Sequence, residues 1–319
     1  MPWLLLTLSC IILWGITDIL YKKSSDYNDP LSHFKTFVWI GIIMAPAGGI
    51  MVLCSDTLLD SIMMVKDNLY LIPLCIFYTI ALFFGLLGKK HLDASVVSPL
   101  ENIDGAMAAI ILYFFFLLTD RSHITSRIGV LEIAATVAII VGVVLLGMQE
   151  HKLSKQEMAL AKDQRKHRLG ALALIFPLMY NLVDAVSMVA IGITVSEETE
   201  VAIPDIDFFI FECVGFVVVA VLMWLYLLIA KKYTYNPFKK TELVRCGAAA
   251  GETFGTMTYT FAVGSNPILT APITSSYCLV TIILARVFLK ERLTKKQYLS
   301  LALVVIGVVL LGISEIFNI

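Results

Sequence analysis

SPLENIDGAMAAIIL, residues 98–112, and APITSSYCLVTIILA, residues 271–285, both open on a small residue followed by proline and run on into apolar helix-forming sequence. Two more pairs fall in the same order along the chain. VGVVLLGM (141–148) pairs with IGVVLLGI (306–313), and WGITD (14–18) pairs with YNLVD (180–184), an aromatic four residues before an aspartate in each. A single match of this kind is what apolar sequence yields by convergence; three in register mark an internal duplication. The expected units are residues 1–148 and 169–319, joined by a charged linker at 149–168.

Of the 319 residues 59% are hydrophobic and 15% charged, with a mean hydropathy of +0.86. Soluble domains sit nearer about 45–50% apolar and 25% charged, so lipid must cover much of the outside. Runs of the length needed to cross a bilayer, about 20 residues, fall at 2–21, 34–54, 68–88, 93–118 and 127–148, and then at 169–195, 207–230, 243–264, 267–289 and 297–317. The expected fold is an all-α integral membrane protein of ten transmembrane helices, built as two five-helix repeats. Five is odd, so the two copies must be inverted relative to each other, an arrangement that places a binding site at the repeat interface.

The loops after the odd-numbered spans, with the span ends that flank them, hold 20 of the 24 Lys and Arg, whereas the loop 196–207 (SEETEVAIPDID) is purely acidic. By the positive-inside rule the basic loops are cytoplasmic, which puts both termini outside in a multi-pass plasma-membrane protein. The first apolar run has no basic leader or small-residue cleavage site and is expected to remain as a span. A net charge of −1 gives no field for nucleic acid. The six cysteines have no metal-ligand spacing, the five histidines are expected in loops, and no DDxxD or HExxH motif is present. No cofactor, metal site or enzymatic activity is expected.

The layout resembles the drug/metabolite transporter superfamily, EamA type. The local likeness lies in APITSSYCLVTIILARVFLKERLTKKQYLSLALVVIGVVLLGI (271–313), with its small-Pro start, apolar helix, Glu-Arg-Leu-Thr turn and Gly-containing last span. The corresponding turn of the first half, LTDRSHITSR (118–127), is longer and lacks the Glu. The resemblance implies a transporter with a central cavity between spans 1–4 and 6–9, and with spans 5 and 10 at the periphery.

An ionised group at the bilayer centre costs about 2.5–3.5 kcal/mol on insertion scales, so intramembrane carboxyls are functional candidates. Seven lie in the spans: Asp18, Glu101, Asp104, Glu132, Asp184, Glu212 and Glu252. Asp184, Glu252 and Asp104 fall near the midplane. Glu101 shares a helical face with Asp104 at i,i+3, and Asp18 shares one with Trp14 at i,i+4. Glu132 and Glu212 lie near span ends, where an interfacial carboxylate is the simpler reading for Glu132 and stands level with a functional one for Glu212. Arg286 is the one expected intramembrane cation, and it can snorkel to a basic loop.

Polar and aromatic neighbours line up with the acids: Tyr180 and Ser187 with Asp184, Thr256 and Tyr259 with Glu252, and Thr274, Cys278 and Thr281 beside Tyr277. The expected substrate- or proton-binding set is Asp184, Glu252, Glu101, Asp104, Asp18, Trp14, Tyr180, Tyr259 and Tyr277. The structural alternative for each is a buried interhelical hydrogen bond or simple packing. Pro99 and Pro272 occupy equivalent positions, where a lost backbone donor produces either a tolerated kink or a break at the site.

Several carboxyls with aromatic rings and no opposing Lys or Arg favour a cation, an amine or quaternary ammonium, and disfavour phosphates and nucleotide sugars. Crowded carboxyls out of water resist carrying all their charges at once, so proton coupling is expected, with sodium as the alternative. The expected function is secondary active transport of a small organic cation by alternating access. Export of amino acids or other neutral or zwitterionic metabolites is the alternative, and a channel is the rival from another class. The expected partners are the substrate, the lipid bilayer and a second copy in a homodimer.

Overall fold

The computed structural model describes residues 2–25, 29–69, 71–92, 94–119, 129–160, 173, 175–196 and 199–289, together with scattered positions between 295 and 310. Among these residues the chain is helical, without strands. In chain order the helices are α1 (Pro2–Ser24), α2 (Ser32–Cys54), α3 (Leu58–Asp67), α4 (Leu71–His91), α5 (Ala94–Glu101), α6 (Asp104–Leu118), α7 (Val130–Leu160), α8 (Ile175–Val195), α9 (Asp205–Leu225), α10 (Leu243–Ser265), α11 (Pro267–Thr274) and α12 (Tyr277–Leu289). One π-turn, Tyr226–Ala230, extends α9.

Six of the described helical segments are long and apolar enough to cross a bilayer: Trp3–Ser24, Ser32–Cys54, Leu74–His91, Ile175–Val195, Asp205–Ala230 and Pro267–Phe288. α10 is long enough but too polar to qualify by hydropathy, and its threonines, Glu252 and Tyr259 are buried against other helices. A polar helix can sit there because its partners, not lipid, surround it. The expected span 297–317 lies largely outside the described residues. The segment between α2 and α4, expected as a plain loop, carries the short helix α3, whose Leu59, Ile62 and Met63 are exposed. The expected linker begins as helix: α7 continues unbroken to Leu160, and 161–168 lies outside the described residues.

Expected spans four and nine are each two helices rather than one. α5 ends at Glu101 and α6 starts at Asp104; α11 ends at Thr274 and α12 starts at Tyr277. These are equivalent positions in the two matched stretches, each break lying three residues beyond the shared proline. In the second break the hydroxyls of Thr274, Ser275 and Ser276 bond to the carbonyls of Thr270, Ala271 and Ile273, a competition with the backbone ladder that bends helices. In the first, Asn102 Nδ2 donates to the Ser98 carbonyl, and Asn181 of α8 donates to the Leu100 carbonyl. Side chains thus satisfy backbone oxygens that lipid could not. α11 starts immediately after α10 because Asn266 caps it, accepting from Leu269 N at 3.1 Å, with Pro267 at the first helical position.

α1 packs along α10, α4 along α8, and α2 along α9, while α1 also meets α12 and α8 meets α6. Exchanging each first-half element for its second-half counterpart carries α1 on α10 into α8 on α4, and α1 on α12 into α8 on α6. It leaves α2 on α9 in place. α7 touches α5 and α11, and its Ala135 and Ile139 are buried in the main core. The two breaks meet: a Cβ on Gly105 would overlap Ser275 Oγ and the Ala271 carbonyl. Gly255 of α10 likewise leaves room for the Trp14 ring, and Gly251 for Thr17.

Polar ties gather at one end of the bundle. Lys22 Nζ reaches the Lys89 carbonyl at 2.9 Å, Arg245 bonds to Glu242 at 2.6 Å and to the Ser24 carbonyl at 2.9 Å, and Lys35 pairs with Asp29 at 2.7 Å. Burial pushes the Asp29 carboxyl up. The hydrogen bonds from Lys35 and the Leu31 N–H, with the charges of Lys35 and Arg245, outweigh it and hold Asp29 below the usual range. A depressed carboxyl stabilises the fold above its ordinary range and loses that contribution as pH falls below about 4.

Close packing at Gly255 predicts the effect of adding a methyl group there. Gly255→Ala should lower stability in detergent by about 1–3 kcal/mol, because the added carbon strikes the Trp14 indole. Gly49→Ala, in a helix with nothing within 4 Å of the new carbon, should be neutral or stabilising by up to about 1 kcal/mol. Thermal melts of the two variants check the contrast.

Candidate functional site

Trp14 is the hub of the interior. Its ring lies 5.4 Å from Tyr259, 5.8 Å from Tyr277 and 6.2 Å from Tyr78, measured between centroids. Trp14 and Tyr78 line two adjoining chambers. The first, with a volume of about 20 Å³, is lined by Trp14, Asp18, Tyr21, Tyr78, Lys89, Tyr180, Glu252 and Tyr277, among others. The second, about 10 Å³, is lined by Trp14, Tyr78, Asp184, Met188, Ile191, Glu212, Thr256 and Tyr259. All nine residues expected from the sequence are buried, none more than 8% exposed. Seven line a chamber, while Glu101 and Asp104 stand behind, on the broken helix.

Glu252 is held by hydroxyls. Tyr21 Oη donates to it at 2.9 Å, Tyr78 Oη donates to its other oxygen, and Thr256 Oγ1 lies at 3.3 Å. Asp18 accepts from Thr281 at 3.2 Å and pairs with Lys89 at 3.1 Å. Glu101 pairs with the same Lys89 ammonium, which also lies 6.0 Å from the Tyr180 ring centroid. Glu212 accepts from Thr260 at 2.9 Å.

Asp104 begins α6, where the Gly105 N–H donates to its Oδ1 at 2.6 Å, and Asp184 is its neighbour among the buried acids. Among the described residues Trp14 Nε1, Tyr259 Oη, Ser187 Oγ and one oxygen each of Asp184 and Glu101 are buried without a hydrogen-bond partner. Unpartnered polar atoms are rare in protein interiors, and those of Trp14, Tyr259 and Asp184 belong to residues that line a chamber.

Four expectations are corrected. Arg286 is not the sole cation of the interior: Lys89, read as part of a basic loop, is 2% exposed and sits between Asp18 and Glu101. The premise of a cavity with no opposing Lys or Arg therefore fails. Glu101 and Asp104 do not share a face, because the break between them turns Glu101 to Lys89 and Asp104 to Asp184. Glu212 is 2% exposed and lines the second chamber, so it is no interfacial acid. His33 and His91 lie in helices rather than loops. The side chain of Glu132 lies outside the described residues.

Tyr21, Tyr78 and Lys89 were missed by sequence reasoning. Tyr78 and Lys89 stand on one stripe of α4, three turns apart, with Leu82 and Leu86 between. That continuity was the signal that Lys89 belongs to the helix face and not to the loop after it.

Residues 173–313 match the EamA-like transporter family. That family falls within the drug/metabolite transporter superfamily, and the matched stretch lies within the second unit expected from the repeat. The match and the apolar helices identify a multi-pass membrane protein of a family that transports small molecules. No curated protein matches the chain.

Removing the ammonium should be costly, because it would leave two buried acids without their counter-charge. Lys89→Met should lose about 3–5 kcal/mol of stability. Lys90→Met, whose ammonium bonds to the Asp29 carbonyl at 2.8 Å, should lose about 1 kcal/mol. Melting midpoints of the two purified variants in one detergent give the comparison.

Proposed function

We propose that the protein is a secondary active carrier of small organic cations, working by alternating access and exchanging a proton at its buried acids. One observation carries the reading: among the described residues, Asp18, Glu101, Asp104, Asp184, Glu212 and Glu252 are gathered in the interior opposite a single ammonium, that of Lys89. A positively charged substrate gains from these acids out of water and from the faces of Trp14, Tyr180, Tyr259 and Tyr277. A phosphate or nucleotide sugar would meet repulsion and no arginine fork. Asp104 and Asp184, two neighbouring acids that are both buried, supply the natural proton site. Glu252 and Asp18 face the chamber and supply the substrate site.

The halves act as inverted repeats, the first five spans against the second five. Support comes from the matched breaks and from a packing pattern that the exchange of halves preserves. Rocking one set of helices against the other would untie either the basic end or the opposite end, where Ser55, Thr57 and Ser61 all donate to Asp207. The basic end faces the cytoplasm, both termini face outward and the plasma membrane is the site of action, on the strength of the Lys/Arg bias. Lys89 favours one second reading: an ammonium among carboxyls also suits the carboxylate of a zwitterion such as an amino acid.

Uptake of a labelled alkylamine into proteoliposomes under an imposed pH gradient tests the reading. Asp184→Asn and Glu252→Gln keep side-chain size and hydrogen bonding while deleting charge, and removing a buried charge relieves desolvation. Both variants should fold. Each should lose at least about tenfold in rate, the scale of a single strong ionic contact, and the variant at the proton site should lose its pH dependence. Wild-type rates with an unchanged pH profile in both variants would make these acids structural and remove the cation assignment.

A further inference from the structure

We infer that Asp18 and Glu101 form a subsite for a primary ammonium ion, with the Lys89 side chain as its tethered resident, which the substrate's own ammonium displaces. The inference rests on the reading of the interior as a cation site and names the class of cation. Three observations carry it. The Lys89 ammonium is bound as a ligand would be, 3.1 Å from Asp18, in contact with Glu101 and 6.0 Å from the Tyr180 ring centroid. It also lines the first chamber itself beside Asp18, so a molecule entering that chamber reaches Asp18 and, on displacing the ammonium, Glu101 behind it. The second oxygen of Glu101 is fully buried and has no partner among the described residues, so the subsite has accepting capacity beyond what Lys89 uses.

The chemistry of the occupant sets the chemistry of its rival. An R–NH₃⁺ group donates three hydrogen bonds from a compact charge, and acceptors on Asp18 and Glu101 are arranged around such a group. A quaternary ammonium offers the same charge and no donor, so it cannot replace what Lys89 gives these oxygens. Displacement also keeps the site's charge constant. With substrate bound, its ammonium neutralises the acids; when it leaves, Lys89 returns. The empty carrier then reorients without two bare carboxylates, whose exposure to low dielectric would otherwise hold it still.

Binding of n-butylammonium, whose chain matches the lysine stem, and of tetramethylammonium is measured by calorimetry on the full chain in detergent, for wild type and Lys89→Met. With the resident gone, n-butylammonium should bind at least tenfold more tightly than to wild type, and tetramethylammonium should gain much less. Adding Asp18→Asn to Lys89→Met should cancel the gain. If Lys89→Met binds n-butylammonium no better than wild type, or if both cations gain equally, the inference is overturned. Weaker binding in the variant overturns it as well, since Lys89 would then be a substrate contact and not a competitor.

Should Lys89→Met fail to fold, Lys89→Arg carries the test. A guanidinium grips both acids in a fixed fork, so n-butylammonium should bind several-fold more weakly than to wild type, and an unchanged affinity contradicts the proposal. Binding is read without transport. Loss of this result alongside impaired uptake in Asp184→Asn and Glu252→Gln would remove only the tethered-lysine subsite, not the cation carrier.

Discussion

One ammonium and two carboxyls, Lys89 between Asp18 and Glu101, set the terms for the rest of the interior. Charges that deep are tolerated only when paired and hydrogen-bonded, and this triad draws its members from α1, α4 and α5. It cannot form unless the three helices stand in register. The short α5 matters here. Because it stops at Glu101, that carboxyl turns to Lys89, while Asp104, three residues on, heads a new helix and faces Asp184. An unbroken span four would hold the two acids on one stripe and serve one partner set or the other.

The breaks in turn depend on packing that small residues permit. Gly105 lets α6 approach Ala271 and Ser275 at the second break, and Gly251 and Gly255 bring α10 against Thr17 and Trp14 of α1. α10 is the least lipid-like of the long helices. Its Glu252 is satisfied entirely by hydroxyls, from Tyr21, Tyr78 and Thr256. Glu252 therefore faces the first chamber without a fixed counter-charge, in contrast to Asp18, which lines the same chamber, and Glu101 behind it. That difference divides the interior into acids paired with lysine, the neighbouring Asp104 and Asp184, and two, Glu252 and Glu212, held by neutral hydroxyl donors.

Much of this was legible in the sequence, and what was not has a physical reason. Six of the spans follow from hydropathy, the matched places of the two interruptions from Pro99 and Pro272, and the buried acids from the cost of an idle carboxylate in lipid. Lys89 was hidden because Lys89-Lys90-His91 looks like a helix end reaching water, and the lysines at such ends normally do. Only its place three turns below Tyr78 on α4 betrays it. Tyr21 was hidden by the same masking, next to Lys22 and Lys23. Glu212 lay too close to a span end by counting, although α9 starts with buried residues at its first turn. Pairing of Glu101 with Asp104 failed because helical periodicity presumes a continuous helix, and here the helix stops between them.

Counterflow in proteoliposomes tests the central claim most directly, since it requires one site that binds a cation and presents it alternately to each side. Vesicles loaded with unlabelled n-butylamine are diluted into a trace of the labelled amine at equal pH inside and out. The account predicts a transient accumulation of label above its equilibrium level that is absent from protein-free vesicles. Simple equilibration without overshoot would contradict a carrier, and overshoot with an organic phosphate but not with the amine would contradict a cation site.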